Sequence, residues 1–194
     1  FISNPMEHAE ASKIALFSIA DYAWNMDAYK SDASWRRAVR YLMPGHAAAL
    51  QVFASHNSDL GGNEHDFRRE ESEQIRPALE RLLDAYCREG KREVAAASAV
   101  TEECERMIAS ADLLLASDEN PALIKEISPW LIQFKLLGEY GREVLCMLAA
   151  QCDGKKTELE KAASHAKALQ VLMKKIDATY NQNGFQPGVK TGSC

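Results

Sequence analysis

Apolar positions recur at helical spacing along nearly the whole chain. The densest stretch comes first. From Ile14 to Trp24 the run IALFSIADYAW holds only Ser18 and Asp21 as polar residues. At ~100° per residue it resolves into two stripes, one through Met6, Ala9, Leu16, Phe17, Ala20 and Trp24, the other through Ala11, Ile14, Ala15, Ile19 and Tyr22. A surface helix needs one apolar stripe; a second implies cover on another side, either as the central helix of a bundle or against something outside it. The expected start is capped by Asn4, with Pro5 at the first helical position and Glu7 placed for a capping box.

Six more helices follow from the same periodicity. Ser31 or Asp32 is placed to cap a second, with Trp35, Ala38, Val39 and Leu42 on one face. Pro44 is expected to open a third, HAAALQVFASH, with Ala47, Leu50, Phe53 and Ala54 inward. NSDLGGNEHDF then reads as the clearest loop in the chain. A fourth helix carries Ile75, Leu79, Leu82, Leu83 and Tyr86, with Pro77 near its start and Gly90 at its end. The fifth spans about 92–117 through Val94, Cys104, Met107, Ile108, Ala111, Leu114 and Leu115. Asn120 and Pro121 open the sixth, with a bend expected at Pro129 and an inward stripe of Trp130, Phe134, Leu137, Gly141, Leu145 and Leu148. Gly138 and Gly141 leave room there for a neighbouring backbone. Asp153 and Gly154 turn the chain, and Thr157 with Glu160 reads as a capping box for a seventh helix through Leu159, Ala163, Ala166, Leu169, Met173, Ile176 and Tyr180. The expected fold is all-α, an antiparallel bundle of about five to seven helices over residues 1–184. Residues 185–194 read as a linker or the truncated start of a following C-terminal module.

Composition narrows the class. The chain has 194 residues, 46% hydrophobic and 26% charged, with a net charge of -5. That size suffices for one domain with a substantial core. No apolar run approaches the ~20 residues a membrane span needs, and the absence of a basic block argues against nucleic acid. Five cysteines, with no C-x-x-C pair, do not form a disulfide framework or a zinc pattern. Most read as small buried hydrophobes.

Candidate chemistry is sparse. No His has a Glu three positions before it, which removes the di-iron bundle. No H-E-x-x-H, G-x-S-x-G, G-x-G-x-x-G or Walker loop occurs. Residues 59–70 space acids like a calcium loop, but Glu64 stands where the turn needs Gly and Gly61 where a ligand is needed. His56 and His65 bracket the same loop and are placed to share a metal with Asp59 or Asp66, but a solvated loop explains them better. Glu7 and Glu10 read as first-turn carboxylates that offset the helix dipole. Trp24, Trp35 and Trp130 read as core rather than sugar platforms. No residue is assigned a catalytic, cofactor or metal role.

Several stretches carry a family resemblance: NPMEHAEASKIALFSIADYAWN, SWRRAVRYLMP, HNSDL, PWLIQFKLLGEYG and QPGVKTGS. Together they resemble the helical region that follows the catalytic barrel in glycoside hydrolase family 84, the bacterial hyaluronidase-like β-N-acetylglucosaminidases related to eukaryotic O-GlcNAcases. Residues 68–120 carry little of it. The resemblance implies a parent whose (β/α)8 barrel removes N-acetylglucosamine with retention, the substrate's acetamido group acting as nucleophile beside two neighbouring aspartates. No adjacent Asp pair exists in this chain, so those roles have no positions to fall on.

The expectation is therefore a non-catalytic accessory bundle that packs on and supports the barrel, cut just after it and just before a C-terminal module. Its partners would be those two neighbours, with glycan reached only through the parent. Lys13, Ile14, Asp21 and Tyr22 are the expected interdomain docking face, the two polar members interrupting an apolar surface. The family implies a periplasmic, cell-surface or secreted parent. The alternative is a stand-alone interaction module, dimerising through the first or sixth helix.

Overall fold

The computed structural model describes residues 8–57 and 72–180. Seven helices occupy them: α1 Ala9–Trp24, α2 Ser31–Leu42, α3 Ala47–Ser55, α4 Arg76–Glu89, α5 Val94–Leu115, α6 Pro121–Cys152 and α7 Lys156–Tyr180. Among the described residues there is no strand, and the fold is an all-α bundle. The cap expected at Asn4, Pro5 and Glu7, the 59–70 loop and the segment 185–194 lie outside the described residues.

The long helices α5 and α6 form the spine. The main core lies where α2, α3, α5 and α6 meet, around Val39, Leu50, Leu114, Leu123, Leu131 and Phe134, with the Phe53 ring set edge-on to Phe134 at 5.4 Å. A second core joins α4 to α5 through Ala78, Leu82, Ala96, Ala97, Val100 and Cys104. α7 folds back along α6 after a three-residue turn in which Gly154 takes φ 67°. α1 lies on α2 and α6.

The two glycines of α6 do what their spacing suggested. A Cβ on Gly138 would stand 2.9 Å from the Cys104 carbonyl oxygen and 2.9 Å from Ile108 Cγ1, and one on Gly141 would stand 2.7 Å from Cys104 Sγ. Their bare backbone is what lets α5 and α6 close. Polar pairs line the same seam, Lys135 with Asp112 at 2.7 Å and Arg142 with Glu105 at 2.9 Å.

Helix starts differ from expectation in instructive ways. His8 is extended and α1 begins at Ala9. Its first amides are capped from another helix: Glu10 N donates to both oxygens of Glu126, at 3.1 and 2.9 Å, and Ala11 N to one at 3.1 Å. α2 begins at Ser31, after Lys30, with no side-chain cap. α3 starts at Ala47, three residues past Pro44, which sits in the preceding turn. Thr157 lies inside α7 rather than at its cap. α5 is capped by Glu93, whose carboxylate accepts from Ala96 N at 2.5 Å. The start of α6 is as read, Asn120 Oδ1 accepting from Leu123 N at 3.1 Å, and the helix continues through Pro129 to Cys152. Pro77 and Gly90 bound α4 as expected, Gly90 at φ 62°.

Candidate functional site

Two features stand apart from ordinary packing: the outer surface of α1 and a cavity beside α3.

α1 is apolar, yet its only fully buried residue is Ser12. Ala11 and Ile14 pack partly on the main core. Lys13, Phe17, Ala20 and Trp24, spaced 4, 3 and 4 apart, share one side of the helix within ~60°. Trp24 is 92% exposed, which corrects its assignment to the core; Trp35 and Trp130 do pack against the core. Across the α1–α2 contact Phe17 meets Tyr41 at 6.0 Å, and Tyr41 is itself 71% exposed. Apolar surface thus continues from α1 onto α2.

The four residues expected to form a docking face are placed differently from one another. Ile14 turns toward the core. Asp21 is bonded to Arg37 of α2; the Ser34 hydroxyl and the Arg37 guanidinium beside it hold its carboxyl below the ordinary range. Lys13 is exposed and bonded to Glu10 at 2.5 Å. Tyr22, at ~180° from Lys13 around the axis, donates to Met26 Sδ at 2.9 Å and meets Tyr29 edge-on at 5.3 Å. Lys13 alone of the four lies on the Trp24 side.

The cavity holds about 440 Å³ and opens between α2, α3, the entry to α4 and α5. Its polar wall is His56, which closes α3. His56 Nδ1 lies 2.6 Å from Ser72 Oγ and Nε2 lies 2.7 Å from Glu103 Oε1, while Glu103 Oε2 takes Arg106 at 2.8 Å. Ser72 reaches this bond from φ 54°, a backbone state uncommon outside glycine. These bonds tie the end of α3 and the entry of α4 to α5, and they occupy both ring nitrogens of His56. Asp59, His65 and Asp66 lie outside the described residues. Among the described residues no group of three or more His, Cys, Asp or Glu side chains is arranged to hold a metal ion, and no helix is long and apolar enough to cross a membrane.

Both features were hard to find from sequence. Periodicity showed that α1 is apolar all round but not which side the bundle leaves bare. The clamp joins residues 16 and 47 apart in the chain, and no local pattern links them.

The described residues thus form a helical bundle with an uncovered apolar flank, the kind of surface that marks an interaction site. Comparison with known proteins gives it a family. The family model described as the bacterial GH84 post-catalytic domain matches residues 71–194, and the one described as beta-N-acetylglucosaminidase matches residues 1–55. The chain belongs to glycoside hydrolase family 84, in its post-catalytic helical domain. Among solved structures it is similar to CpGH84D, with TM-score 0.76 and 26% identity over 96% of this chain and 32% of that one. CpGH84B gives TM-score 0.78 and 23% identity over 89% of this chain and 29% of that one. A mutant of the Thermobaculum terrenum O-GlcNAc hydrolase gives TM-score 0.65 and 20% identity over 92% of this chain and 36% of that one. The chain thus spans about a third of the length of these proteins.

Proposed function

We propose that the chain is a non-catalytic accessory domain that seats on the catalytic domain of a β-N-acetylglucosaminidase and supports it, with α1 as the seat. The observation that carries this is the bare flank of α1. A water-exposed tryptophan beside a phenylalanine, an alanine and a tyrosine is costly to leave uncovered and well suited to a protein interface, where aromatic side chains anchor binding. The docking face is then Lys13, Phe17, Ala20 and Trp24 of α1 with Tyr41 of α2; Tyr22 lies on the opposite side of the helix, and Ile14 and Asp21 tie α1 to its own bundle.

The two family matches support this division. The one named for the enzyme covers α1, α2 and α3, and the post-catalytic one covers α4 to α7. On this reading α1 to α3 are the layer nearest the catalytic domain, and α4 to α7 buttress that layer through the two cores. Hydrolysis of N-acetylglucosaminides belongs to the catalytic domain, and this chain supplies no residue to the reacting atoms. We also propose that the parent is exported, to the periplasm, the cell surface or the medium.

The test is calorimetric titration of this chain with the separately produced catalytic domain of its parent, repeated with Trp24→Asp. Saturable binding that weakens at least about tenfold in the variant is expected, as for loss of a central aromatic anchor. No binding, or binding indifferent to Trp24, would remove α1 as the seat.

A further inference from the structure

We infer that the cavity beside α3 is a second carbohydrate site, separate from the seat on α1, and that it takes an acetamido sugar. At about 440 Å³ it has room for one hexopyranose with its N-acetyl group, in the lower range of ordinary ligand pockets. Its lining has the mixture that sugar recognition needs. Trp35 supplies an aromatic surface for the C–H face of a pyranose, and Val52 beside it offers an apolar place for an acetamido methyl. Arg36, Gln51, Glu73 and Gln74 ring the cavity, and none of these four side chains has a polar partner among the described residues.

Those free groups are complementary to what a sugar presents. A carboxamide donates and accepts in one plane, so Gln51 can pair with both the N–H and the C=O of an acetamido group. Glu73 accepts from hydroxyls and Arg36 donates to them. The floor, by contrast, is already satisfied: His56 is held by Ser72 and Glu103, and Glu103 by Arg106. The fixed His56 pairings leave Arg36, Gln51, Glu73 and Gln74 available to a ligand, at the cost of ordering their side chains on binding.

The choice of an acetamido sugar over other hexoses rests on the proposed function, since the glycan reached by such an enzyme carries that group. The cavity itself rests on geometry alone. Its role would be to hold a sugar residue of the glycan away from the reacting bond, adding a second point of attachment.

The experiment is saturation-transfer NMR on the full chain with N-acetylglucosamine, with galactose as the control sugar. Transfer strongest at the acetamido methyl is expected, falling at least about tenfold in apparent affinity in Gln51→Ala and Trp35→Ala, as when a stacking surface or a bidentate partner is lost. Trp35 also packs on the core, so Gln51→Ala and Gln74→Ala, checked by circular dichroism, keep the test clean. Trp24→Ala controls for stacking on the exposed tryptophan and should leave transfer unchanged. No transfer, or transfer that survives Gln51→Ala and disappears in Trp24→Ala, would overturn the site. Equal transfer to galactose would overturn the acetamido assignment. Sugar binding that fails while the catalytic domain still docks refutes the cavity alone; docking that fails while sugar binding persists refutes the seat alone.

Discussion

Glu126 of α6 closes the start of α1: both of its carboxylate oxygens accept the backbone amide of Glu10, and one of them also takes that of Ala11. The first helix is thereby capped by a residue 116 positions away. Asn120 reinforces the junction, its amide donating to Glu10 Oε2 and to the Leu42 carbonyl, each at 3.4 Å. Removing a helix cap costs ~1 kcal/mol, within a range of about 0.5–2. Glu126→Ala should destabilise the chain by about that amount in urea unfolding, with an early loss of protection at the α1 amides in hydrogen exchange. Unchanged stability and protection would mean that the cap contributes nothing.

Gly138 and Gly141 make a paired prediction. An added methyl at Gly138 meets a backbone oxygen, which cannot give way, whereas one at Gly141 meets only the Cys104 thiol. Overpacking of this kind costs ~1–3 kcal/mol. Gly138→Ala should lower the thermal midpoint with or without Cys104. Gly141→Ala should do so in the wild-type chain and much less in a Cys104→Ala background. Equal costs for Gly141→Ala in both backgrounds would refute the contact.

Acid should loosen the turns before stronger acid unfolds the core. The Gly45 amide, donating at 2.6 Å, and the His46 ring at 3.1 Å hold the Glu119 carboxyl below its ordinary value of 4.5. The Lys13 ammonium does the same for Glu10, and Ser34 with Arg37 for Asp21. Each of these folded-state pKa values is depressed, so their contribution is complete above the unfolded value and is lost as pH falls through the folded one. Stability should therefore decline below about pH 4.5, and Glu119→Gln should flatten that decline in a pH series of thermal midpoints. A slope unchanged by the substitution would exclude Glu119 as a contributor.

Thiol reactivity should sort by burial. Desolvation, with Glu103 and Glu105 nearby, pushes the Cys104 thiol up to about 11, while Cys87 and Cys146 are exposed. The thiolate is the reactive form. At pH 8 iodoacetamide should label Cys87 and Cys146 within minutes and Cys104 only after denaturant is added, as read by mass spectrometry of peptides. Early labelling of Cys104 would mean that the α5–α6 seam opens.

Much of this bundle was legible in the sequence, because its signals are local. Asn120 with Pro121, Pro77 and Gly90 act through their own turn, and they mark the ends of α6 and α4 where expected. The glycine pair in α6 was also readable, since only close packing explains two glycines inside a long apolar helix. Legibility failed where a distant group took over. Capping by Glu126 leaves no trace near α1. The burial of Trp24 was misread because periodicity gives the direction of a side chain without saying whether a neighbour stands there. Similarly, Leu83 and Val94 continue apolar stripes but end 53% and 69% exposed, because α4 and α5 meet through Ala78, Leu82, Ala96, Ala97, Val100 and Cys104 instead.

The bare flank of α1 is the central feature of this domain. Its most direct test is the calorimetric titration of the chain with the catalytic domain of its parent, comparing wild type, Trp24→Asp and, as a control on an unrelated exposed apolar position, Leu83→Asp. Saturable binding is expected for wild type and Leu83→Asp, with at least about a tenfold loss for Trp24→Asp. Equal affinity for all three, or no binding by any, would contradict α1 as the seat.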